Sequence, residues 1–160
     1  MKIALVYYSL DGNCALIARL IKEKTNADVF ALELADEKKR RGLVKMIWGG
    51  RMVITGRKPP LKALTVNPAG YDLIILGTPV WAGTFAPPLL TFLAETKITG
   101  KKIAVFACYA GSAGKTFDRL TALLAGNEIA GTIGFKNPAR LSRDRVEADL
   151  SAWLETLQTG

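Results

Sequence analysis

Residues 2–21 read KIALVYYSLDGNCALIARLI and give the clearest indication of the fold. This stretch opens with an unbroken apolar run, Ile3–Tyr7, which is typical of a strand buried on both faces of a sheet. A polar turn, Ser9–Cys14, follows. The next apolar residues recur at helical spacing, at Leu16, Ile17, Leu20 and Ile21. A buried strand that turns directly into an amphipathic helix predicts the first unit of an α/β domain.

The strand pattern repeats along the chain. The runs Leu73–Leu76 and Ile103–Ala107 are also unbroken, whereas Asp28–Leu34 and Glu128–Phe135 alternate between apolar and polar residues, as half-exposed edge strands do. One face of each edge strand is expected to carry its apolar residues: Phe30, Leu32 and Leu34 in one, and Ile129, Ile133 and Phe135 in the other. Placing the three apolar strands in the centre predicts a doubly wound, five-stranded parallel sheet with strand order 2-1-3-4-5.

Three further helices are predicted between and after the strands. Their apolar stripes are Leu89, Leu90 and Leu93 behind Pro87 and Pro88; Phe117, Leu120, Leu123 and Leu124; and Val146, Leu150, Trp153, Leu154 and Leu157 behind a Ser142 N-cap. Residues 73–94 carry no charge and have the length of a membrane span. Their three prolines and two glycines instead predict a strand, a loop and a helix.

Composition excludes several kinds of chemistry. The chain has 160 residues, the usual length of one domain, and we expect residues 1–160 to form one. It has no histidine and only Cys14 and Cys108, which rules out histidine catalysis and argues against a zinc site or a disulfide framework. Free thiols without an export signal predict a cytoplasmic protein. Any enzyme activity must therefore rely on a cofactor or on carboxylate, Lys, Tyr or Cys side chains.

Almost all of the net charge of +8 comes from one segment. Residues 36–62 lie in the long second crossover, about residues 36–70, which we expect to hold one or two short helices and then the extended Lys58–Pro60. The segment has two acidic residues, and its basic residues are Lys38, Lys39, Arg40, Arg41, Lys45, Arg51, Arg57, Lys58 and Lys62. Such a cluster is either a solvated face or a surface for an acidic partner.

The central strands each end in a loop of small and hydroxylated residues: Ser9–Cys14, Gly77–Thr84 and Cys108–Gly114. The carboxyl ends of parallel strands meet at one edge of the sheet, where open α/β sheets bind ligands. The first loop offers backbone N–H groups at a helix N-terminus, which suit a phosphate. The other two loops bring Trp81 and Tyr109, whose rings suit a planar heterocycle.

These three loops resemble those of the flavodoxin family, in which the first loop reads Ser/Thr-x-Thr-Gly-Asn-Thr and the second carries a ring-stacking aromatic. The resemblance spans the whole chain and implies bound FMN. It implies that Ser9, Gly12, Asn13 and Cys14 hold the phosphate, that Trp81 and Tyr109 flank the ring system, and that the Ala82–Gly83 backbone lies near flavin N5. The complete set that the resemblance implies for FMN is Ser9, Leu10, Asp11, Gly12, Asn13, Cys14, Thr78, Pro79, Val80, Trp81, Ala82, Gly83, Cys108, Tyr109, Ala110, Gly111 and Gly114.

Two residues depart from the flavodoxin pattern. Asp11 replaces a threonine, and a carboxylate facing a phosphate would repel it, so Asp11 is expected to face solvent or to accept from the loop's own N–H groups. Cys14 replaces the last hydroxyl and is a weaker donor. We expect Cys108 to be buried as inert packing.

The resemblance implies a redox protein that transfers electrons through bound flavin, with no catalytic side chain of its own. An electron carrier is the leading expectation. The alternatives are an FMN-dependent NAD(P)H, quinone or porphyrinogen-type oxidoreductase and, more distantly, a non-redox binding module. Redox partner proteins, acidic ones included, would meet the flavin edge and the basic crossover. We expect no nucleic acid, no metal and no membrane span, while peripheral contact with an anionic membrane surface stays open.

Overall fold

The computed structural model describes residues 1–36 and 43–158, with the backbone alone at 43–46. Strands and helices alternate along these residues, as the sequence predicts. The strands are β1 (Ile3–Tyr7), β2 (Asp28–Ala31), β3 (Leu73–Trp81), β4 (Thr84–Phe85), β5 (Lys102–Tyr109) and β6 (Glu128–Lys136). The helices are α1 (Asn13–Thr25), α2 (Leu43–Ile54), α3 (Pro87–Glu95), α4 (Thr116–Leu123) and α5 (Arg143–Gln158), with short 3-10 turns at Pro68–Gly70 and Pro138–Arg140.

The sheet has the predicted order. Five strands pair in parallel as β2-β1-β3-β5-β6, which is the doubly wound arrangement expected from the burial pattern. The sixth strand, β4, has two residues and pairs antiparallel with the end of β3, outside this path. The strand order reverses between β1 and β3, and the crevice of such a sheet lies at the carboxyl ends of these strands.

Hydrophobic side chains fill both faces of the sheet. Ile3 and Leu5 of β1 pack with α1 and α5 on one face, whereas Ala4 and Val6 pack with α3 and α4 on the other. The residues alternate because successive side chains of a strand point to opposite faces. Burying one such leucine or isoleucine stabilises the fold by about 1.5–3 kcal/mol, so the two layers are the main source of stability.

The apolar stripe and the Ser142 N-cap that were predicted for the last helix are both confirmed in α5. All five residues of the stripe are buried against the sheet. The Ser142 hydroxyl accepts a hydrogen bond from the Arg145 N–H at 3.4 Å, which satisfies one of the free N–H groups of the first turn of α5. The stripe predicted in α4 is only partly buried, because Leu123 is 53% exposed while Leu120 and Leu124 lie in the core.

The edge strands β2 and β6 are confirmed, but each differs in detail from the prediction. β2 ends at Ala31, and the chain beyond it forms an isolated antiparallel bridge from Leu34 to Leu61. In β6, a register shift places Gly131 opposite Ala104, so Ala130 is an extra residue. This bulge reverses the alternation of side chains. Ile129 therefore packs on the opposite face from Ile133 and Phe135, and the prediction that the three share a face is wrong.

Residues 73–94, predicted as an uncharged strand, loop and helix, have that form: they contain β3, β4 and all of α3 except its last residue, Glu95. The strand is longer than predicted, because β3 continues through Pro79 and Val80 to Trp81 and then turns back as a hairpin. No helix in residues 1–36 or 43–158 has both the length and the apolar character needed to cross a membrane. Much of the basic cluster, Lys38–Arg41, lies outside the described residues.

Gly77 is the tightest point of the central sheet. A Cβ atom at this position would lie 2.2 Å from Phe106 Cζ and 2.9 Å from Tyr7 Cβ. We expect Gly77→Ala to lower the free energy of unfolding by about 1–3 kcal/mol or more, because neither neighbour can withdraw from the core without strain. Urea denaturation followed by circular dichroism measures the loss.

The matched control is Gly70→Ala, where a Cβ meets no atom within 4 Å. We expect this change to alter stability by less than about 0.5 kcal/mol. Equal urea midpoints for Gly77→Ala and Gly70→Ala would contradict the packing described for β3.

Candidate functional site

A cavity of about 600 Å³ opens where β1, β3 and β5 end. Its volume is in the range of small-molecule sites. The predicted site residues that line it are Leu10, Asp11, Asn13, Pro79, Val80, Trp81, Ala82, Cys108, Tyr109 and Ala110. Three lining residues were not predicted: Gly49, Gly50 and Asn137. The three predicted loops therefore do converge on one cavity at the carboxyl edge of the sheet.

The first loop is closed by its own side chains. The Ser9 hydroxyl accepts a hydrogen bond from the Ala15 N–H at 3.2 Å, and the Asp11 carboxylate accepts one from the Asn13 N–H at 3.1 Å. The second bond confirms that Asp11 bonds an N–H group of its own loop. Gly12 is the N-cap of α1 and has a φ of 94°, in the left-handed region that glycine adopts without strain. The loop thus presents the positive end of α1 to the cavity.

Two asparagines connect the turn after β6 to its neighbours, one to the first loop and one to the end of β5. Asn13 Oδ1 accepts from the Ala139 N–H at 3.2 Å, which ties α1 to the turn after β6. Asn137 donates its N–H to the Tyr109 carbonyl at 2.8 Å and has a φ of 45°. Asn137 is a lining residue that the sequence analysis missed. An Asn-Pro pair directly after the fifth predicted strand was the available signal, because that strand ends at the same edge of the sheet.

The β3–β4 hairpin forms a second wall. Its two-residue turn is Ala82 and Gly83, with φ values of 47° and 73°. Positive φ at both positions is characteristic of a type I′ turn, which suits glycine and asparagine better than alanine. The loop after β5 supports the turn from behind, since the Lys115 N–H donates to the Gly83 carbonyl at 2.8 Å. A Cβ on Gly114 would lie only 2.4 Å from that carbonyl oxygen, so Gly114 is needed for this contact.

Trp81 belongs to a group of aromatic rings beside the cavity. Its ring centroid lies 5.7 Å from that of Tyr8 and 6.1 Å from that of Trp48, with both pairs packed edge to face. Tyr109 stands on the other side, against Gly134, where a Cβ would lie 2.7 Å from Tyr109 Cε1. The site therefore has one aromatic ring on each of two walls. The sequence analysis named Trp81 and Tyr109 but not their supports.

Gly49 and Gly50 bring α2 close to Trp81. A Cβ on Gly49 would lie 3.1 Å from Trp81 Cε3, whereas a Cβ on Gly50 would meet nothing within 4 Å. These two residues were missed because they lie in the crossover helix and not at the end of a strand. The signal for them was a pair of adjacent glycines within an otherwise helical pattern.

Both thiols lie in the core, and only that of Cys108 belongs to a residue that lines the cavity. Cys14 is completely buried, and Cys108 is nearly so. Burial raises the pKa of the Cys14 thiol well above its ordinary value of 9.0, and the neighbouring Cys108 thiol and Asp11 carboxylate add to the rise. The Cys14 side chain thus packs in the core, and only its backbone N–H is available to the loop. The predicted packing role of Cys108 is confirmed.

The remaining predicted residues do not line the cavity. Ser9 and Gly12 shape the first loop, and Gly83 and Gly114 contact each other behind the hairpin. Thr78 is fully buried, and its hydroxyl accepts from the Ala86 N–H at 2.9 Å, which joins β3 to the start of α3. Gly111 lies in the third loop with open space around it.

Comparison with solved structures gives the class of protein. The chain resembles a flavoprotein from Lactobacillus acidophilus NCFM solved in complex with FMN, at 20% identity and a TM-score of 0.75, over 96% of this chain and 98% of that one. It also resembles a WrbA-like flavodoxin from Agrobacterium tumefaciens, at 17% identity and a TM-score of 0.64, over 99% and 96% of the two chains. The fold is therefore that of the flavodoxin-like flavoproteins. No curated protein matches the sequence.

The family follows from the sequence. The family described as NADPH-dependent FMN reductase matches residues 1–129, which is most of the chain. The chain belongs to this family, so the predicted class of FMN-binding flavoproteins is confirmed.

Substitutions at Gly49 and Gly50 of α2 test whether this helix packs against the Trp81 ring. Alanine is a better helix former than glycine by about 0.5–1 kcal/mol. Gly50→Ala should gain this stability, whereas Gly49→Ala should lose part or all of it because its methyl group presses on the Trp81 ring. Thermal unfolding of the two apoprotein variants measures the difference. If Gly49→Ala gained as much as Gly50→Ala, the contact between α2 and Trp81 would be wrong.

The raised pKa of Cys14 predicts a stability that falls at high pH. Above pH 9.0 the thiol ionises in the unfolded chain but stays protonated in the folded one, so the folded state binds the extra proton. The contribution of this thiol to the free energy of unfolding is fully present below pH 9.0. Above that pH it declines by about 1.4 kcal/mol per pH unit at most. Urea midpoints at pH 7.5 and 10.5 measure the decline.

Cys14→Ala should show a smaller decline between the two pH values. A residual decline is expected, because burial also raises the pKa of Tyr7. If wild type and Cys14→Ala lost equal stability between pH 7.5 and 10.5, Cys14 would not be the titrating group.

Proposed function

We propose that the protein is an FMN-dependent oxidoreductase that takes electrons from NADPH, with the flavin held in the cavity at the ends of β1, β3 and β5. One observation carries the proposal: the cavity joins a helix N-terminus to a space walled by Trp81 and Tyr109. A phosphate fits the first feature, and a flat ring system fits the second. The family supplies the nicotinamide substrate class.

The phosphate end fits the first loop. The N–H groups of Gly12, Asn13 and Cys14 and the Ser9 hydroxyl would hold it, in the electrostatic field of α1. Asp11 opposes it, because its carboxylate already occupies the Asn13 N–H and lines the same cavity. A phosphate must displace this carboxylate or share the loop with it, which costs affinity. The protein therefore holds its cofactor with an acidic residue at the place where an anion binds.

The ring end fits the walls of the cavity. Trp81 and Tyr109 would flank the ring system, while Pro79, Val80 and Ala110 would exclude water from it. FMN supplies the redox chemistry when bound, since it exchanges either a hydride or single electrons. The chain has no histidine to act as an acid or base. Its own residues therefore bind, orient and desolvate the cofactor.

A one-electron carrier is the second candidate, and the charge distribution favours it. Residues 36–62 carry nine basic and two acidic side chains, and the described basic members, Arg51, Arg57, Lys58 and Lys62, are exposed, with Lys62 paired to Glu33. A positive surface of this kind would attract an acidic redox protein, and this attraction would weaken with salt. An anionic membrane surface carrying a quinone or porphyrinogen substrate is the further alternative.

The first experiment measures FMN binding by quenching of flavin fluorescence. We expect stoichiometric uptake by the wild-type apoprotein. Asp11→Asn keeps an acceptor for the Asn13 N–H but removes the charge, so it should bind FMN about threefold to tenfold more tightly. Asp72→Asn is the matched control, since Asp72 precedes β3 and accepts from the Lys2 N–H at the opposite edge of the sheet. Equal affinities for all three proteins would place the phosphate elsewhere.

The second experiment follows NADPH oxidation by the FMN-loaded protein without a partner. Steady turnover with oxygen or a soluble quinone as acceptor supports the reductase. Loaded protein that is inert toward NADPH, but passes electrons to an acidic redox protein at a rate that falls with salt, supports the carrier. Apoprotein that takes up no FMN overturns both.

A further inference from the structure

A second cavity lies on the other side of the β3–β4 hairpin. Its volume is about 330 Å³, and it lies between the end of α2, the β4 strand and α4. We call it the α2–α4 cleft and define it by Met52, Arg57, Thr84, Phe85, Arg119 and Leu123. Trp81 of the flavin cavity pairs with Thr84 of this cleft across the hairpin, so the two cavities share one wall. None of the predicted FMN residues lines the cleft.

Two arginines from different elements meet at this cleft. Arg57 follows α2, and Arg119 lies on α4. Both are exposed, and neither forms an ion pair with any residue in 1–36 or 43–158. Two unpaired guanidinium groups on one small cavity favour an anionic ligand, because guanidinium binds carboxylate and phosphate oxygens in pairs.

Thr84 provides an independent indication of a ligand. It is 4% exposed and lines the cleft, yet its Oγ1 has no hydrogen-bond partner among the described residues. Leaving a buried hydroxyl unpaired is unfavourable, and valine of the same shape would avoid the cost. The Oγ1 atom itself is covered, so a polar atom of a bound molecule would satisfy it once the Thr84 side chain turns toward the cleft.

The rest of the cleft is apolar. Met52 and Phe85 form its inner surface, and Leu123 remains 53% exposed at its rim. This exposure is the reason that the α4 stripe is incomplete. An apolar body in the cleft would cover Leu123 and remove it from water, which is favourable. The volume is at the lower end of the range for small-molecule sites, which suits a ligand smaller than FMN.

We propose that the α2–α4 cleft is a second binding site, which takes an amphipathic anion. Arg57 and Arg119 bind its carboxylate or phosphate group, Met52, Phe85 and Leu123 bury its apolar body, and the Thr84 hydroxyl bonds a polar atom. The site is separate from the flavin cavity and does not depend on the function proposed above. Two sources offer this chemistry: an acyl chain that ends in a carboxylate, and a nucleoside that carries a phosphate.

The test is isothermal titration calorimetry with two probes, decanoate and adenosine 2′-monophosphate, each added to the protein with and without FMN. We expect at least one probe to bind in both states. Binding of decanoate alone identifies the acyl source, and binding of the nucleotide alone identifies the phosphorylated nucleoside. If neither probe binds at millimolar concentration, the proposal is overturned, whatever the protein does with FMN and NADPH.

Arginine substitutions test whether the probe binds in the α2–α4 cleft. Arg57→Gln combined with Arg119→Gln should weaken the probe by at least about tenfold, because both charge-assisted contacts are lost. Arg145→Gln with Arg140→Gln removes the same charge outside the cleft and should leave the probe affinity unchanged. A probe that binds equally to both double variants overturns the proposal.

Thr84→Val separates a ligand contact from a structural role. The variant removes the hydroxyl with almost no change of shape, so the free protein should be as stable as wild type or more so. Its affinity for the probe should fall about threefold or more, as expected for one lost hydrogen bond. Unchanged affinity would overturn the role given to Thr84.

Discussion

The parallel pairing of β3 with both β1 and β5 is the constraint on which the molecule depends. It buries β3 on both faces and brings the ends of three strands to one edge. The close contact between Gly77 and Phe106 occurs within this pairing, just before the chain leaves the core. Most residues that line the cavity at the ends of β1, β3 and β5 lie at that edge, and Gly49 and Gly50 of α2 complete the wall. A shift of one strand by a single residue would turn its core side chains toward the wrong face.

The β3–β4 hairpin extends from the central sheet and forms part of the wall of each of the two cavities. Its turn holds Ala82 in the left-handed region, where a residue with a Cβ is strained by about 1–2 kcal/mol. Gly114 and the Lys115 N–H hold the turn from behind, and Thr78 fastens its base to α3. The β3 strand of the hairpin contributes Trp81 to the cavity at the ends of β1, β3 and β5, and the β4 strand contributes Thr84 to the α2–α4 cleft. The hairpin therefore forms part of the wall of both cavities, with β3 at one of them and β4 at the other.

The electrostatics of the site combine a helix dipole with an opposing carboxylate. The N-terminus of α1 attracts an anion, while Asp11 satisfies one of its N–H groups from within the loop. The loop is therefore held by hydrogen bonds to its own side chains. The thiol of Cys14 lies beneath the loop in the core, where burial keeps it protonated.

The sequence alone predicted the strand order, the edge of the sheet at which the cavity lies, and many of the residues that line it. Unbroken apolar runs such as Ile3–Tyr7 identify central strands because only residues buried on both faces lack polar alternation. The small loops at their ends then follow from parallel geometry. Asp11 was also predictable, since an aspartate in a tight turn has its own N–H groups as nearest donors.

Only the tertiary structure decided the features that depend on contacts distant in sequence. Ile129 faces away from Ile133 because of a bulge that pairing with β5 creates, and no local pattern reveals an extra residue in a strand. Gly49 matters because Trp81, thirty-two positions later, packs against it. The α2–α4 cleft likewise combines Arg57, Thr84 and Arg119, which are far apart along the chain. Local periodicity determines which elements form and which face is buried, whereas the spaces between elements exist only after they pack.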